Sequence, residues 1–309
     1  MQHNNLLKVA IIGSGNLGTD LLYKVLRSEH LDCVLFIGRS ADSKGLSRAR
    51  NLGVRTSSES IRAIEDEKNN IDLVFDATSA SQHLIHAPIF EKFNIKAIDL
   101  TPAKLGGFCI PSININAILE SNNINMVTCG GQSSIPIIKS MSDICQNILR
   151  VELTSYLAED SVGQGTIDNI DEYYSTTADA ITEFSNIQNV EVKLELETSS
   201  WKPNMLTNIR FHLDSINLTK VYESLQNRLL QIQQHVPGYQ INGTPKFNQG
   251  VFDVSISVSG QGDWLPIHAG NLDIINCAAI AAAEHLAKFN ESNRIKMQNK
   301  KNTRTPEFS

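Results

Sequence analysis

The sequence predicts an α/β chain in two parts, a doubly wound parallel sheet and then an α+β domain with a mainly antiparallel sheet. Three observations carry this. Leu6 to Ile12 is an apolar, β-branched run that stops at Gly13-Ser-Gly-Asn-Leu-Gly18, and Thr19 to Arg27 follows with Leu21, Leu22, Val25 and Leu26 at helical spacing. Strand-like and helical stretches then alternate as far as Leu149, the signature of βαβ units. From Arg150 the pattern changes: Arg150–Ala158, Val190–Glu197, Ile209–Leu213 and Val251–Val258 alternate apolar and polar residues like half-buried strands.

The opening strand, glycine turn and helix form a Rossmann-type unit with GxGxxG in its proper context. Gly13 makes the turn, Gly15 admits a pyrophosphate, and Gly18 lets helix and strand pack closely. With Ser14, Asn16 and Leu17 they are the first candidate cofactor residues, because phosphates favour a helix N-terminus. Asp32 to Ile37 reads as the second strand. It ends in Gly38-Arg39-Ser40, where an NAD-preferring fold usually places an acid on the ribose. Arg39 and Ser40 could instead meet a 2′-phosphate, so both NAD and NADP stay open. Gly45–Leu52 looks helical, Gly53–Thr56 extended, and Ser58–Asn69 is a polar helix. Ile71 to Ser79 is a buried strand running into small polar residues, which makes Thr78 and Ser79 candidates to line the crevice. Ala97–Leu100 is a further strand. His83 and His86, three apart and without another ligand nearby, read as surface or packing residues.

Asn125 to Thr128 is strand-like and ends at Cys129-Gly130-Gly131, followed by a helix with Ser133 or Ser134 as cap and Pro136 in its first turn. Exposed amides and a helix dipole there would favour a thiolate. The two glycines would admit a substrate, and their amides could hold an oxyanion. A small buried core cysteine is the alternative. Downstream, a Gly-rich loop (Glu159–Glu172) enters a helix at Tyr173–Phe184, and another helix covers Val221–His235. Ala269–Ile275 leads into an alanine-rich helix, Asn276–Phe289, expected to return to the first half. The expected division is 1–149 for dinucleotide binding, completed by helix 270–289; 150–269 for catalysis and dimerisation; and 290–309 as a polar, basic, disordered tail.

At 309 residues the chain can bury two cores, and its composition is ordinary, 41% hydrophobic and 19% charged. A net charge of -6 gives no electrostatic case for nucleic acid or an anionic membrane. Five scattered cysteines without a CxxC pair argue against a disulfide framework and against a metal site. No apolar stretch reaches transmembrane length and no signal peptide is legible, so a cytoplasmic location is expected.

Three stretches converge: Gly13-Ser-Gly-Asn-Leu-Gly-Thr-Asp20, Val127-Thr-Cys-Gly-Gly-Gln132 and Ala269-Gly-Asn-Leu-Asp-Ile274. With Asp76-Ala-Thr-Ser-Ala80 and Asp99-Leu-Thr-Pro102, they closely resemble acylating acetaldehyde dehydrogenase over roughly residues 6–288. That is the CoA-dependent enzyme that ends meta-cleavage pathways of aromatic catabolism, partnered with a 4-hydroxy-2-oxovalerate aldolase. The resemblance implies a nicotinamide cofactor, coenzyme A as co-substrate, a small aldehyde or acyl thioester as substrate, and at least a homodimer formed through the second sheet. It implies pyrophosphate binding at Ser14–Leu17 and an acyl-thioester nucleophile at Cys129. A second nucleotide-contacting loop falls on Ser161–Asn169 (Ser161, Val162, Gly163, Gly165 and Asn169), and a further contact on Asn271. In that family the cysteine attacks the aldehyde, hydride passes to the nicotinamide, and CoA takes the acyl group, reversibly.

This chain also departs from the pattern. The family's Ser-Ala-Gly-Pro-Gly-Thr-Arg loop is here Ser161-Val-Gly-Gln-Gly-Thr-Ile167, without the arginine. The family's Arg-Asp pair aligns with Thr207-Asn208, and Asn208 can orient a group but cannot act as a general base. A retained redox core with altered or weakened acyl chemistry is the expectation. Two other functions compete. A semialdehyde dehydrogenase reducing an acyl phosphate would want a catalytic histidine and arginines; the histidines of the expected second domain are His212, His235 and His268, and its arginines are sparse, Arg210 and Arg228 among them. A catalytically impaired subunit serving an aldolase is the non-enzymatic reading.

Overall fold

The computed structural model describes residues 6–163, 167, 169–198 and 202–302, with side chains through residue 298. The N-terminal half builds a parallel sheet from β1 (Leu7–Ile12), β2 (Leu31–Ile37), β3 (Thr56–Ser57), β4 (Leu73–Asp76), β5 (Lys96–Asp99), β6 (Gly107–Phe108) and β7 (Asn123–Asn125). Their order is β3-β2-β1-β4-β5-β7-β6. Alternate residues of β1 feed two cores. Val9 and Ile11 pack with Leu21, Phe75 and Ala279, whereas Ala10 and Ile12 pack with Ile64 and Phe90. A strand buried on both faces reads as a continuous apolar run, which is why this half was legible in the sequence. The order reverses between β1 and β4, so the crevice opens at the carboxyl ends of these strands.

The helices of this half are α1 (Asn16–Arg27), α2 (Lys44–Asn51), α3 (Arg62–Glu67), α4 (Ala80–Lys92) and the single turns α5 (Pro111–Asn114) and α6 (Ala117–Glu120). The chain then crosses through α7 (Cys129–Ser142) to a second sheet. That sheet contains β8 (Ile148–Ala158), β9 (Val190–Glu197), β10 (Met205–Leu213), β11 (Tyr239–Ile241), β12 (Lys246–Asn248) and β13 (Val251–Val258), in the order β11-β13-β10-β8-β9 with β12 beside β13. Its pairs are antiparallel except β8–β9, a parallel pair joined through α8 (Ile170–Ser185). Residues of α7, α8 and α9 (Leu218–Gln233) share one core with the inner face of the sheet, including Ile137, Ile181, Leu225, Leu153 and Val254.

The closing helix, α10 (Gly270–Asn302), returns to the first sheet. Ala278, Ala279, Ala282 and Ala283 join the core of Leu21, Leu22 and Val25, small side chains allowing close approach to α1. Lys24 fixes the same contact electrostatically. Its ammonium lies 3.3 Å from Asp20, 2.7 Å from Asp263 and 2.6 Å from Asp273. The helix continues past Phe289 through Asn302, where the sequence suggested disorder from residue 290. Glu291–Gln298 contains good helix formers and neither glycine nor proline, so nothing stops it. Residues 303–309 lie outside the described residues. Among those described, no helix is long and apolar enough to cross a membrane.

Candidate active site

The glycine turn has the shape a dinucleotide needs. Gly13 has φ +117°, and a Cβ there would meet the Ala77 carbonyl oxygen at 2.4 Å; a Cβ on Gly18 would meet the Gly13 carbonyl oxygen at 1.8 Å. Nothing lies within 4 Å of the same position on Gly15, which opens onto the crevice. Gly15 caps α1 without any side-chain bond, so the first amides of the helix remain for an anion. Ser14 Oγ is braced by Ser43 Oγ at 2.7 Å. Arg39 and Ser40 are exposed at the end of β2, next to Asp42. Thr78 and Ser79 are half-buried at the end of β4. Ser79 caps α4, and Thr78 donates to Asp76 through its amide and its hydroxyl.

The cysteine turn differs in detail from the sequence reading. β7 ends at Asn125, Val127 adopts φ +62°, and the helix begins at Cys129 itself. Thr128 is the cap, its Oγ1 accepting from the Gly131 amide at 2.9 Å. Ser133 and Ser134 lie inside the helix and donate to the Gly130 carbonyl at 2.9 and 2.7 Å, and Pro136 sits in the helix interior. Thr128 wins because it is extended and its hydroxyl reaches the third amide, the ordinary N-cap geometry. The glycines also serve another purpose than expected. A Cβ on Gly130 would lie 2.2 Å from the Tyr173 hydroxyl, and one on Gly131 would lie 2.6 Å from Val127 Cγ1. Their missing side chains make room for neighbours rather than for substrate, and the Gly131 amide is occupied by the cap.

Cys129 is partly exposed and lines a narrow cleft of about 60 Å³ with Leu17, Val162, Tyr173, Asn271 and Leu272. The glycine loop, the second sheet's loop and α10 therefore meet at the sulfur. Cys129 Sγ lies 3.9 Å from the Tyr173 hydroxyl. Burial pushes the thiol up to about 11, against the Tyr173 hydroxyl and the amides of Gly130 and Cys129, which favour the thiolate. Asn271 is buried, donates to the Ser161 carbonyl at 2.9 Å, and leaves its Oδ1 without a partner among the described residues. Ser161 is buried, Gly163 faces open space, and Asn169 precedes α8. Gly165 lies outside the described residues. Asn208 is not brought to the sulfur. Its neighbour Thr207 is buried against Ser133 at 3.0 Å, and strand alternation turns Asn208 to the outer face of β10, beside Thr154 and Ser255.

Sequence reasoning missed Tyr173, which nothing in its helix marks, and Ser155 of β8, whose buried hydroxyl stands beside Gly130 of α7. Of the two readings offered for His83 and His86, surface or packing, the structure shows the second: both are buried, against Phe90 and at Asp76, a carboxylate partner that the reading did not include. An aspartate ending a buried strand seven residues before a histidine was the available signal.

The sheet order and the glycine turn are those of a dinucleotide-binding domain, and its crevice meets Cys129 at the start of α7. Residues 8–118 match the family model for the NAD-binding domain of semialdehyde dehydrogenases, and residues 129–266 match that for the dimerisation region of prokaryotic acetaldehyde dehydrogenase. The acetaldehyde dehydrogenase of Spirochaeta aurantia is 46% identical over 282 residues, 91% of this chain and 95% of that protein. That of Pectobacterium atrosepticum is 44% identical over 93% of this chain and 97% of that protein. Aspartate semialdehyde dehydrogenase II of Vibrio cholerae, complexed with ASA, shares the fold with a TM-score of 0.61 at 15% identity, covering 92% of this chain and 99% of that one. The chain belongs to the acetaldehyde dehydrogenase family, and its first sheet is an NAD(P)-binding domain.

Proposed function

We propose that the protein oxidises a short aldehyde through a thioester on Cys129 and passes the acyl group to coenzyme A, reversibly, with NAD or NADP. The observation that carries this reading is the shared cleft: Cys129 lines one small apolar space with Leu17 of the glycine loop and Asn271 of α10. The amides after Gly15 would hold the pyrophosphate, and the unpartnered Asn271 Oδ1 is suited to accept from a carboxamide. Bound nicotinamide would supply the hydride acceptor.

The chain's own part centres on the sulfur. The Cys129 thiolate bonds to the carbonyl carbon, and the carbonyl electron pair moves to oxygen. When the C–H pair leaves as hydride, the C=O bond re-forms and Cys129 carries the acyl group as a thioester; the two electrons lost by the aldehyde are those a bound dinucleotide would take. The thiolate of coenzyme A then bonds to the same carbon, and Cys129 departs as thiolate. The Tyr173 hydroxyl accepts from the resting thiol and can turn to donate to the thiolate. Leu17, Leu100, Leu157, Val162 and Ile275 surround the sulfur with hydrocarbon, which keeps water from the thioester, and the small volume suits a two-carbon acyl group. We assign Asn208 no role at the sulfur. The polar outer face of β8 and β10, which carries it, is the surface proposed for the homodimer, and an aldolase is the proposed source of aldehyde.

The test is reductive turnover of acetyl-CoA with NADH and NADPH separately, with Cys129→Ser as control. Cys129-dependent oxidation of either cofactor is expected, and the ratio of the two rates reads the Arg39–Ser40 end of β2. Turnover of acetyl phosphate but not acetyl-CoA would replace the reading with acyl-phosphate reduction. Silence with acetyl and longer thioesters would leave a binding subunit.

A further inference from the structure

Beneath the cysteine turn runs a chain of buried polar side chains that the chemistry above does not use. His83 and His86 on α4 both direct Nδ1 at one oxygen of Asp76, at 2.9 and 2.8 Å. The other Asp76 oxygen holds the amide of Thr78. On its far side, His83 Nε2 lies 3.5 Å from Asp99 Oδ2. Asp99 Oδ1 accepts from the Thr101 amide at 2.8 Å, and Oδ2 accepts from Asn125 Nδ2 at 2.7 Å. Asn125 donates also to the Thr101 carbonyl at 2.8 Å, and its Oδ1 accepts from the Val127 amide at 2.7 Å. Asp76, His83, Asp99 and Asn125 have no exposed surface.

These residues end β4, β5 and β7, three adjacent strands, and each aspartate or asparagine carries the loop that follows. The last loop is the strained one. Val127 is β-branched with φ +62°, a conformation that persists only where its surroundings over-determine it, and it lies two residues before Cys129. The proton inventory is equally constrained. With Nδ1 of both histidines donating to the Asp76 carboxylate, His83 Nε2 and Asp99 Oδ2 stand 3.5 Å apart as two acceptors, one served by Asn123 and the other by Asn125, and a proton on either turns their repulsion into attraction. Asn123 suits either location of that proton. Its Nδ2, 3.0 Å from His83 Nε2, serves a neutral ring, and its Oδ1, buried and unpartnered among the described residues, would serve a charged one.

We propose that this network positions Cys129: one proton shared by His83 and Asp99 keeps Asn125, and through it the Val127 turn, in the geometry from which the sulfur attacks. The inference deepens the reading of Cys129 as nucleophile and rests on it. The groups facing the pair are Asp76 from β4, His86 from α4, Thr101 after β5, and Asn123 and Asn125 from β7; no lysine or arginine among the described residues bonds to the pair. Burial pushes Asp99 up to about 7 against the pull of His83, and in the absence of the proton two carboxylates confront each other across the ring.

The test compares Asp99→Asn and His83→Gln with the intact protein and with Cys129→Ser. Asp99→Asn sets an N–H against that of Asn125, and neither variant can share the proton. In both, kcat for acetyl-CoA reduction should fall by about 10- to 100-fold, the scale of an ångström-sized misplacement, with KM for NADH within about threefold. The intact enzyme's kcat should decline as alkali removes the shared proton, and that decline should flatten in both. Iodoacetamide labelling of Cys129, read by mass without cofactor, should slow at least about threefold in folded protein. His83→Gln, which leaves the Asp99–Asn125 bond intact, carries the test if Asp99→Asn folds poorly. Turnover by Cys129→Ser would overturn the nucleophile reading and this inference together. An inactive Cys129→Ser beside variants with unchanged kcat and pH profile would overturn the inference alone. So would a raised KM at unchanged kcat, which would assign the network to the cofactor crevice.

Discussion

Two buried charge clusters, one joining the first sheet's half to the end of the chain and one inside that half, use similar residues to opposite ends. Around Lys24, one ammonium meets Asp20, Asp263 and Asp273, and each carboxylate has further donors. Asp20 accepts from the amides of Trp264 and Leu265 and from Asn276, Asp263 from Arg27, and Asp273 from the Gln261 amide. Burial pulls the Lys24 ammonium down, but its acidic neighbours Cys277, Asp20 and Asp273 and the bond to Asp263 outweigh it and leave it raised, so the lysine keeps its charge at any ordinary pH. Around Asp76 and Asp99 the partners are imidazoles. Burial pushes Asp76 up, yet the two histidines hold it down to about 2, while Asp99 rises to about 7. The first cluster is a clamp joining α1, the loop after β13 and α10. The second can gain or lose a proton near neutrality, and it lies under the cysteine. The contrast shows that the titration of the partner, more than burial or charge count, separates a staple from an adjustable support.

Lys24→Met should have the largest effect, because it strands three buried carboxylates. Removing one partner of a buried pair typically costs 3–5 kcal/mol, roughly a 10 °C loss of Tm here. A melt that falls by only a degree or two would break the comparison by making the clamp dispensable. The loss should also stay constant between pH 5 and 9. A lysine with a raised folded pKa contributes fully below its unfolded value of 10.5 and loses its contribution only in strong alkali.

Asp99 should behave differently, with an effect of a few kcal/mol that changes with pH. Its folded pKa is raised from 3.8 to about 7, so the fold is favoured while the group is protonated and is progressively penalised as pH rises through that window. Asp99→Asn loses the Asn125 bond at every pH but escapes the penalty. The Tm gap between intact protein and Asp99→Asn should therefore be widest near pH 5 and narrow by pH 8. A gap constant with pH would place Asp99 with the clamp.

How much of this was legible depended on how local the cause is. The glycine turn, the doubly buried strands and the alanine-rich helix follow from spacing and side-chain size within a few residues. Cys129 was legible for the same reason, since a strand-to-helix turn with two glycines is a local event. Its cap was misread because the choice among Thr128, Ser133 and Ser134 depends on where β7 stops, and Asn125 ends it by turning its amide onto Val127. His83 and His86 were left between surface and packing because helical periodicity carries no sign of the carboxylate that ends the preceding strand; α4 buries both while Leu84 and Ile85 stay exposed. Asn208 was singled out because it aligns with the family's aspartate, and the register of β10, with Thr207 against Ser133, turns it away from the sulfur.

The smallest effect belongs to the uncharged end of the comparison, the hydroxyls around Cys129. Tyr173→Phe removes one oxygen and keeps the ring, so the fold should be intact. Burial holds the Tyr173 phenol well above its usual value, so it stays protonated and can act at the sulfur only by hydrogen bonding. Because that bond favours the thiolate, its loss should move the Cys129 thiol further upward. A shift of one pH unit in the iodoacetamide labelling profile, about tenfold in rate at neutral pH, is expected, corresponding to about 1.4 kcal/mol. Ser155→Ala, one step further from the sulfur, should shift the profile less. An unmoved profile in Tyr173→Phe would mean that the amides of α7 alone sustain the thiolate.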